Sequence, residues 1–218
     1  MKADVEIFVE TARDGNLELV NKWIIKGINI NEADEGSRTA LFWAASYNYK
    51  DIVRTLVKSG ADVNKGTING TTPLYMTAQN GHLSVFKFLI KSGADVNKAR
   101  TDDGSTPLFI ASQYGHHSIV EFLVQSGAEI NKARNDDTTP LYMAAQEGNI
   151  DVAEILVKAG ADVNKARTNG TTPLFIAAQN GYKATVKLLV KGGAVIDKGK
   201  TEDLTTPLYV ASQNFHNR

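Results

Sequence analysis

Residues 70–81, Gly70-Thr71-Thr72-Pro73-Leu74-Tyr75-Met76-Thr77-Ala78-Gln79-Asn80-Gly81, decide the fold. Thr72 is a residue that caps a helix start, and Pro73 suits the first helical turn, where its missing N–H costs nothing. Leu74, Tyr75 and Ala78 then recur at helical spacing. Gly81 supplies the left-handed residue that ends a short helix. Downstream, Val85, Phe88 and Leu89 make the apolar stripe of a second helix, and Gly93 stops it. Val96 and Asn97 open an extended turn with Gly104 at its tip, and that turn leads to Thr106-Pro107-Leu108.

The stretch therefore repeats. Thr-Pro-Leu starts at Thr72, Thr106, Thr139, Thr172 and Thr206, preceded by the variant Thr39-Ala40-Leu41, at steps of 33 or 34 residues. A second marker, Gly-Ala-x-[Val/Ile]-[Asn/Asp], starts at Gly60, Gly93, Gly127, Gly160 and Gly193, the last as Gly193-Ala194-Val195-Ile196-Asp197. Each unit reads as helix, tight turn, helix and hairpin-like loop. One such unit cannot bury its own apolar face, so the units must stack around a shared core. The chain resembles the ankyrin-repeat family across essentially its whole length. The resemblance implies an all-α repeat solenoid of stacked helix-turn-helix units joined by β-hairpin-like loops. Residues 1–218 then form a single domain with repeats at about 1–33, 34–66, 67–99, 100–133, 134–166 and 167–199, and a partial repeat at 200–218.

The ends and the departures carry further expectations. The first repeat lacks Thr-Pro-Leu but keeps Ala12, Gly15, Val20, Ile24 and Gly27 in register. Its first helix sets Val5, Phe8, Val9 and Ala12 on one face and Glu6, Glu10 and Arg13 elsewhere, which predicts a capping unit with a polar outer face. In the last repeat Phe215 stands where glycine belongs and no second helix follows, which reads as a longer array cut short. Loops 97–106 and 197–206 carry one extra residue, and Asn48 replaces glycine as a tolerated left-handed residue. The family's histidine after Thr-Pro-Leu is absent throughout. Phe42, Tyr75, Phe109, Tyr142, Phe175 and Tyr209 stand there instead, so an aromatic ladder must hold by packing what the family ties by hydrogen bonds.

Composition excludes more than it selects. Lys plus Arg equals Asp plus Glu at 24 each, so no net field favours nucleic acid or an anionic membrane. There is no cysteine, hence no disulfide and no thiolate ligand, which suits a reducing compartment. The N-terminal residues lack the apolar stretch of a secretory signal, and no run reaches the ~18 apolar residues of a membrane span. An intracellular location, cytoplasmic or nuclear, is expected. His116 and His117 are adjacent on a helix and diverge, so they make a poor metal pair. Gly199-Lys200-Thr201 lacks the spacing and flanking strand of a phosphate loop. Asn69-Gly70-Thr71 and Asn169-Gly170-Thr171 fit the glycosylation pattern but read better as hairpin tips. No nucleophile has a paired base. No enzyme activity, cofactor or metal is expected.

Two features speak to partners. Lys65, Lys98, Lys132, Lys165 and Lys198 form one basic row, and Arg100, Arg134, Arg167 and Lys200 a second, with Asp102, Asp103, Asp136, Asp137, Glu202 and Asp203 beside them. These are either an internal charge balance or a track for a polyanionic or phosphorylated ligand. By resemblance, partners lie in the concave groove of first helices and hairpins. The positions just before the inter-helix turn there are Ser46-Tyr47, Gln79-Asn80, Gln113-Tyr114, Gln146-Glu147 and Gln179-Asn180, and the loops add Ile68, Asp103 and Asp136. Exposed tyrosine among amides is good recognition chemistry. The leading expectation is a monomeric adaptor or scaffold module that binds another protein, with neither membrane nor nucleic acid as partner. The alternative is a regulatory or targeting segment of a longer enzyme or receptor.

Overall fold

The computed structural model describes residues 2–200 and 205–216, with side chains placed for 3–200 and 205–213. The described residues form thirteen helices: α1 (Lys2–Arg13), α2 (Leu17–Ile25), α3 (Ala40–Ser46), α4 (Lys50–Lys58), α5 (Pro73–Gln79), α6 (Leu83–Lys91), α7 (Pro107–Gln113), α8 (His117–Gln125), α9 (Pro140–Glu147), α10 (Ile150–Lys158), α11 (Pro173–Gln179), α12 (Lys183–Lys191) and α13 (Pro207–His216). Odd-numbered helices are the first helices of the repeats and even-numbered ones the second.

Sequence explains each boundary. Thr39, Thr72, Thr106, Thr139 and Thr172 are buried, and each hydroxyl accepts the N–H three residues on at 3.1–3.2 Å. That satisfies a helix-start amide that would otherwise be stranded in the core. Proline follows in the first turn of α5, α7, α9 and α11. Asn48 takes φ 62°, the left-handed conformation that glycine supplies in the later repeats.

The loops are hairpin-like without becoming strands. Thr67 N–H donates to Thr71 C=O, Arg134 to Thr138 and Arg167 to Thr171, each across one tight turn, and the one isolated bridge among the described residues pairs Ala33 with Thr39. Neighbouring loops are stitched by Thr101 N–H to Asn69 C=O, Asn135 to Asp103 and Thr168 to Asp136. Below them an asparagine amide bridges repeats. Asn31 donates to Gly60 C=O and accepts from Asp62 N–H, and Asn64 does the same with Gly93 and Asp95.

The contacts divide the chain into two compact bodies, Met1–Asp102 and Asp103–Arg218. In the first, α1 packs on α3 and α3 on α5, while α2 packs on α4 and α4 on α6. In the second, α7, α9, α11 and α13 pack in series, as do α8, α10 and α12. Both bodies are thus stacks of helix pairs, the all-α solenoid arrangement. The core is built from equivalent positions: Leu41, Leu74, Leu108, Leu141 and Leu174 are all buried, and so are Phe42, Tyr75, Phe109, Tyr142 and Phe175. The aromatic ladder is structural in these five repeats.

The first repeat departs from the expected polar cap. Ile7, Leu19 and Ile25 are exposed, and with Trp23 they line an apolar cleft of about 420 Å³. The polar residues of α1 point to a cap, but Ile7 of α1 together with Leu19, Trp23 and Ile25 of α2 makes an apolar side. Leu19 and Trp23 are the 33-residue equivalents of Ile52 and Leu56, which are fully buried because α2 lies over α4. At the other end Leu208 is 76% and Tyr209 54% exposed. The α13 backbone runs on through position 215 with no glycine stop. The tips Glu202 and Asp203, the extra residue of loop 197–206 and the side chains of Phe215 and His216 lie outside the described residues.

Equivalent ladder positions should therefore differ sharply in energetic weight. Phe109→Ala should cost about 3–5 kcal/mol, the usual penalty for emptying a buried aromatic site. Tyr209→Ala should stay within about 0.5 kcal/mol, as exposed substitutions do. Urea unfolding followed by circular dichroism measures both.

Candidate partner-binding face

In the first body the candidate face is organised by an aromatic cluster. Tyr47, the residue closing α3, is 50% exposed. Its ring stacks on Trp43 with centroids 5.9 Å apart and planes at 9°, and it tilts against Tyr49 at 6.0 Å. Trp43 also meets the edge of Phe42 at 5.5 Å. The Arg38 guanidinium lies 4.7 Å from the Trp43 ring centre, and that of Arg13 5.9 Å. The indole N–H donates to Asp34 at 3.2 Å, while Arg38 Nε donates to both oxygens of the same carboxylate at 3.1 and 2.9 Å. Burial opposes ionisation of Asp34, but bonds from the Arg38 backbone, the Arg38 guanidinium and Trp43 outweigh it and hold the carboxyl below its ordinary range. Beside this cluster a cleft of about 460 Å³ opens between α1 and the first loop.

Trp43 and Tyr49 escape a reading that attends only to the residues just before the inter-helix turn. The available signal is that Trp43 lies four residues before Tyr47, on the same helix face. Ile68, at the next loop tip, is 85% exposed. Gln79 is half-buried, and Asn80 is anchored, its amide donating to Ser46 C=O at 3.0 Å.

In the second body Tyr114 is 53% exposed and stacks on His116 at 6.3 Å with planes at 10°. Gln113 beside it is half-buried, and its carbonyl accepts from Asn149 at 3.0 Å. Gln146 reaches the Glu147 carboxylate at 3.2 Å, and Asn180 donates to the Gln146 carbonyl at 2.8 Å. Gln179 is exposed. Asp103 and Asp136 are half-buried and turned inward: Asp103 pairs with Arg134 at 3.3 Å, and Asp136 with Arg167 at 2.6 Å. The candidate residues thus form two patches, one on each body, in which Tyr47 and Tyr114 are the exposed aromatics.

The cations of both basic rows make contacts within the chain. Arg100 lies 5.7 Å from the ring centre of Tyr75, Arg134 5.2 Å from Phe109, Arg167 5.4 Å from Tyr142 and Lys200 5.2 Å from Phe175. Each loop cation covers the ladder ring of the preceding repeat, a contact worth about 0.5–2 kcal/mol depending on desolvation. Nε of Arg134 and of Arg167 is buried without a hydrogen-bond acceptor, which leaves the ring as its neighbour. In the lysine row, Lys65, Lys98 and Lys198 donate to the carbonyls of Asn31, Asn64 and Asn164, Lys165 pairs with Asp137 and Lys132 with Glu129. Every cation of the two rows has a partner within the chain. Within a single loop Arg100 pairs with Asp102 and Lys132 with Glu129; Arg134 and Arg167 pair with acids of the preceding loop, and Lys65, Lys98 and Lys198 bond neutral carbonyls.

His82 bonds the Ser46 carbonyl through Nε2 at 2.9 Å, a structural use. Among the described residues no cluster of three or more His, Cys, Asp or Glu could hold a metal, and no helix is long and apolar enough to cross a membrane. The sequence matches the family described as ankyrin repeats (3 copies) over residues 8–100, 98–167 and 161–218. None of the curated proteins compared matches it.

The Asp136 pair should be visible in acid. Burial opposes its ionisation, yet hydrogen bonds from Thr138 and Arg167, with the guanidinium charge, push the carboxyl below its ordinary value. A carboxyl lowered in the folded state stabilises fully above its unfolded pKa of about 3.9, and that stability is lost as pH falls through the lower folded value. Thermal melts of Asp136→Asn should therefore show a lower Tm than the parent near neutral pH and a smaller loss of Tm below about pH 4.

Proposed function

Since the chain belongs to the ankyrin-repeat family, whose members are generally protein–protein interaction modules, we propose that it is an adaptor or scaffold module. Its protein partner docks on the ends of the first helices and the adjoining loops. The observation that carries this reading is the pair of half-exposed tyrosines, Tyr47 and Tyr114, each lying parallel to a neighbouring ring. A pre-ordered aromatic loses little entropy on binding and is the usual anchor of an interface. Around Tyr114, Gln113, Gln146, Glu147, Gln179 and Asn180 supply amide and carboxylate groups that fix register. Asp103 and Asp136 act behind this surface, by holding the arginines that cover the ladder. The module works as a monomer without a cofactor, and its lack of cysteine suits a reducing, intracellular setting.

The reading is tested by recovering a partner from lysate and comparing two variants. Tyr114→Ala should weaken binding by about 2 kcal/mol or more, the mark of an interface anchor, while folding stability changes by less than about 0.5 kcal/mol. Lys132→Ala should leave binding intact. Loss with Lys132→Ala alone, together with steep weakening by salt, would instead make the lysine row the site.

A further inference from the structure

The cleft beside Trp43 narrows the chemistry of what the first body binds. It is lined by Glu6, Glu10, Asp34, Glu35, Arg13 and Arg38, with Trp43 in its wall. Four carboxylates face two guanidiniums, so the lining is net anionic. The two arginines are not held alike. Arg38 is clamped by Asp34 at 2.9 Å and sits close to the indole at 4.7 Å. Arg13 is 42% exposed, 5.9 Å from the ring centre and joined to Glu10 and Asp14 only at 3.5 and 3.7 Å.

We propose that the cleft formed by α1, the first loop and Trp43 is a seat for an arginine or lysine side chain of the partner, and that Arg13 occupies it loosely as an internal stand-in. The inference rests on the reading of this face as a protein-binding surface and goes beyond it by fixing the charge of the guest. Two physical arguments support a cation. The indole face attracts cations, and the chain itself brings two guanidiniums to it. The net negative lining favours a positive guest and opposes an acidic one. Ala3, Ile7 and Val9 of α1 also line the cleft and give the stem of a long basic side chain an apolar surface to lie along. Arg13 is the group to be displaced, because its ion pairs are long and exposed and such pairs contribute little.

The chain has two tryptophans, so Trp23→Phe leaves Trp43 as the sole indole emitter. In that background the probes are three short peptides, Gly-Arg-Gly-Arg-Gly and its glutamine and glutamate counterparts, titrated at low and at physiological salt. The arginine peptide should change Trp43 emission saturably, and the other two should not. Glu6→Gln with Glu10→Gln should weaken it by about two- to fivefold per charge removed, as exposed ion pairs do. Arg13→Gln vacates the seat and should tighten it by a similar factor. A response equal for the glutamine peptide, a response to the glutamate peptide, no response at all, or weaker binding in Arg13→Gln overturns the proposal. If a partner recovered by pull-down needs Tyr114 but tolerates Trp43→Phe, this seat is refuted while the adaptor reading stands. If it needs neither, the adaptor face itself is misplaced.

Discussion

A pair of helices seven and nine residues long has too little surface to enclose its own apolar stripe, so each repeat must borrow side chains from the next. That debt shapes everything above the core. Leu41, Leu74, Leu108, Leu141 and Leu174 are buried, while their equivalent Leu208, whose helix packs on α11, is exposed. The stitching of loop to loop by backbone bonds, and the asparagines that reach from one repeat to the next, are the polar side of the same dependence. They satisfy amides that stacking would otherwise strand.

The cation over the ring solves a particular problem of this sequence. A polar residue at the ladder position could tie neighbouring loops by hydrogen bonds, and a phenylalanine cannot. Here the tie is a guanidinium or ammonium laid on the ring from the following loop, itself steadied by Asp102, Asp103 or Asp136 where arginine is used. Where the hydroxyl is available, a bond is added, as between Tyr142 and Thr171 at 3.1 Å. Loop, ring and acid form one device, which is why acids that look exposed by position are turned inward.

Much of this was legible in the sequence. Threonine capping, the left-handed turn at Asn48 and burial of the ladder from Phe42 to Phe175 all follow from local chemistry within a few residues. The role of the second basic row was not, because Arg100 and the ring it covers are separated by most of a repeat and meet only after stacking. The expected polar cap failed for a similar reason. Whether α2 is covered depends on what lies beside it, not on its own pattern. The candidate site was half legible: Tyr47 and Tyr114 are exposed as their positions suggest, but the Trp43 cluster depends on contacts among three segments. Asp103 and Asp136 gave no local sign that they would turn inward.

The ring-and-cation tie has a bearing on how such an array can change length. The first residue of repeats four to seven is Arg100, Arg134, Arg167 or Lys200, and each serves the ring of the repeat before it. If repeat four, five or six were lost or copied, the new joint would still pair an aromatic ring with a cation. The seam after Phe42 is different. Thr67 stands at that first position, and Phe42 leans instead on Trp43. The ring-to-cation match is therefore shared by the later repeats, whereas Phe42 depends on Trp43, which ties the aromatic cluster to the second repeat.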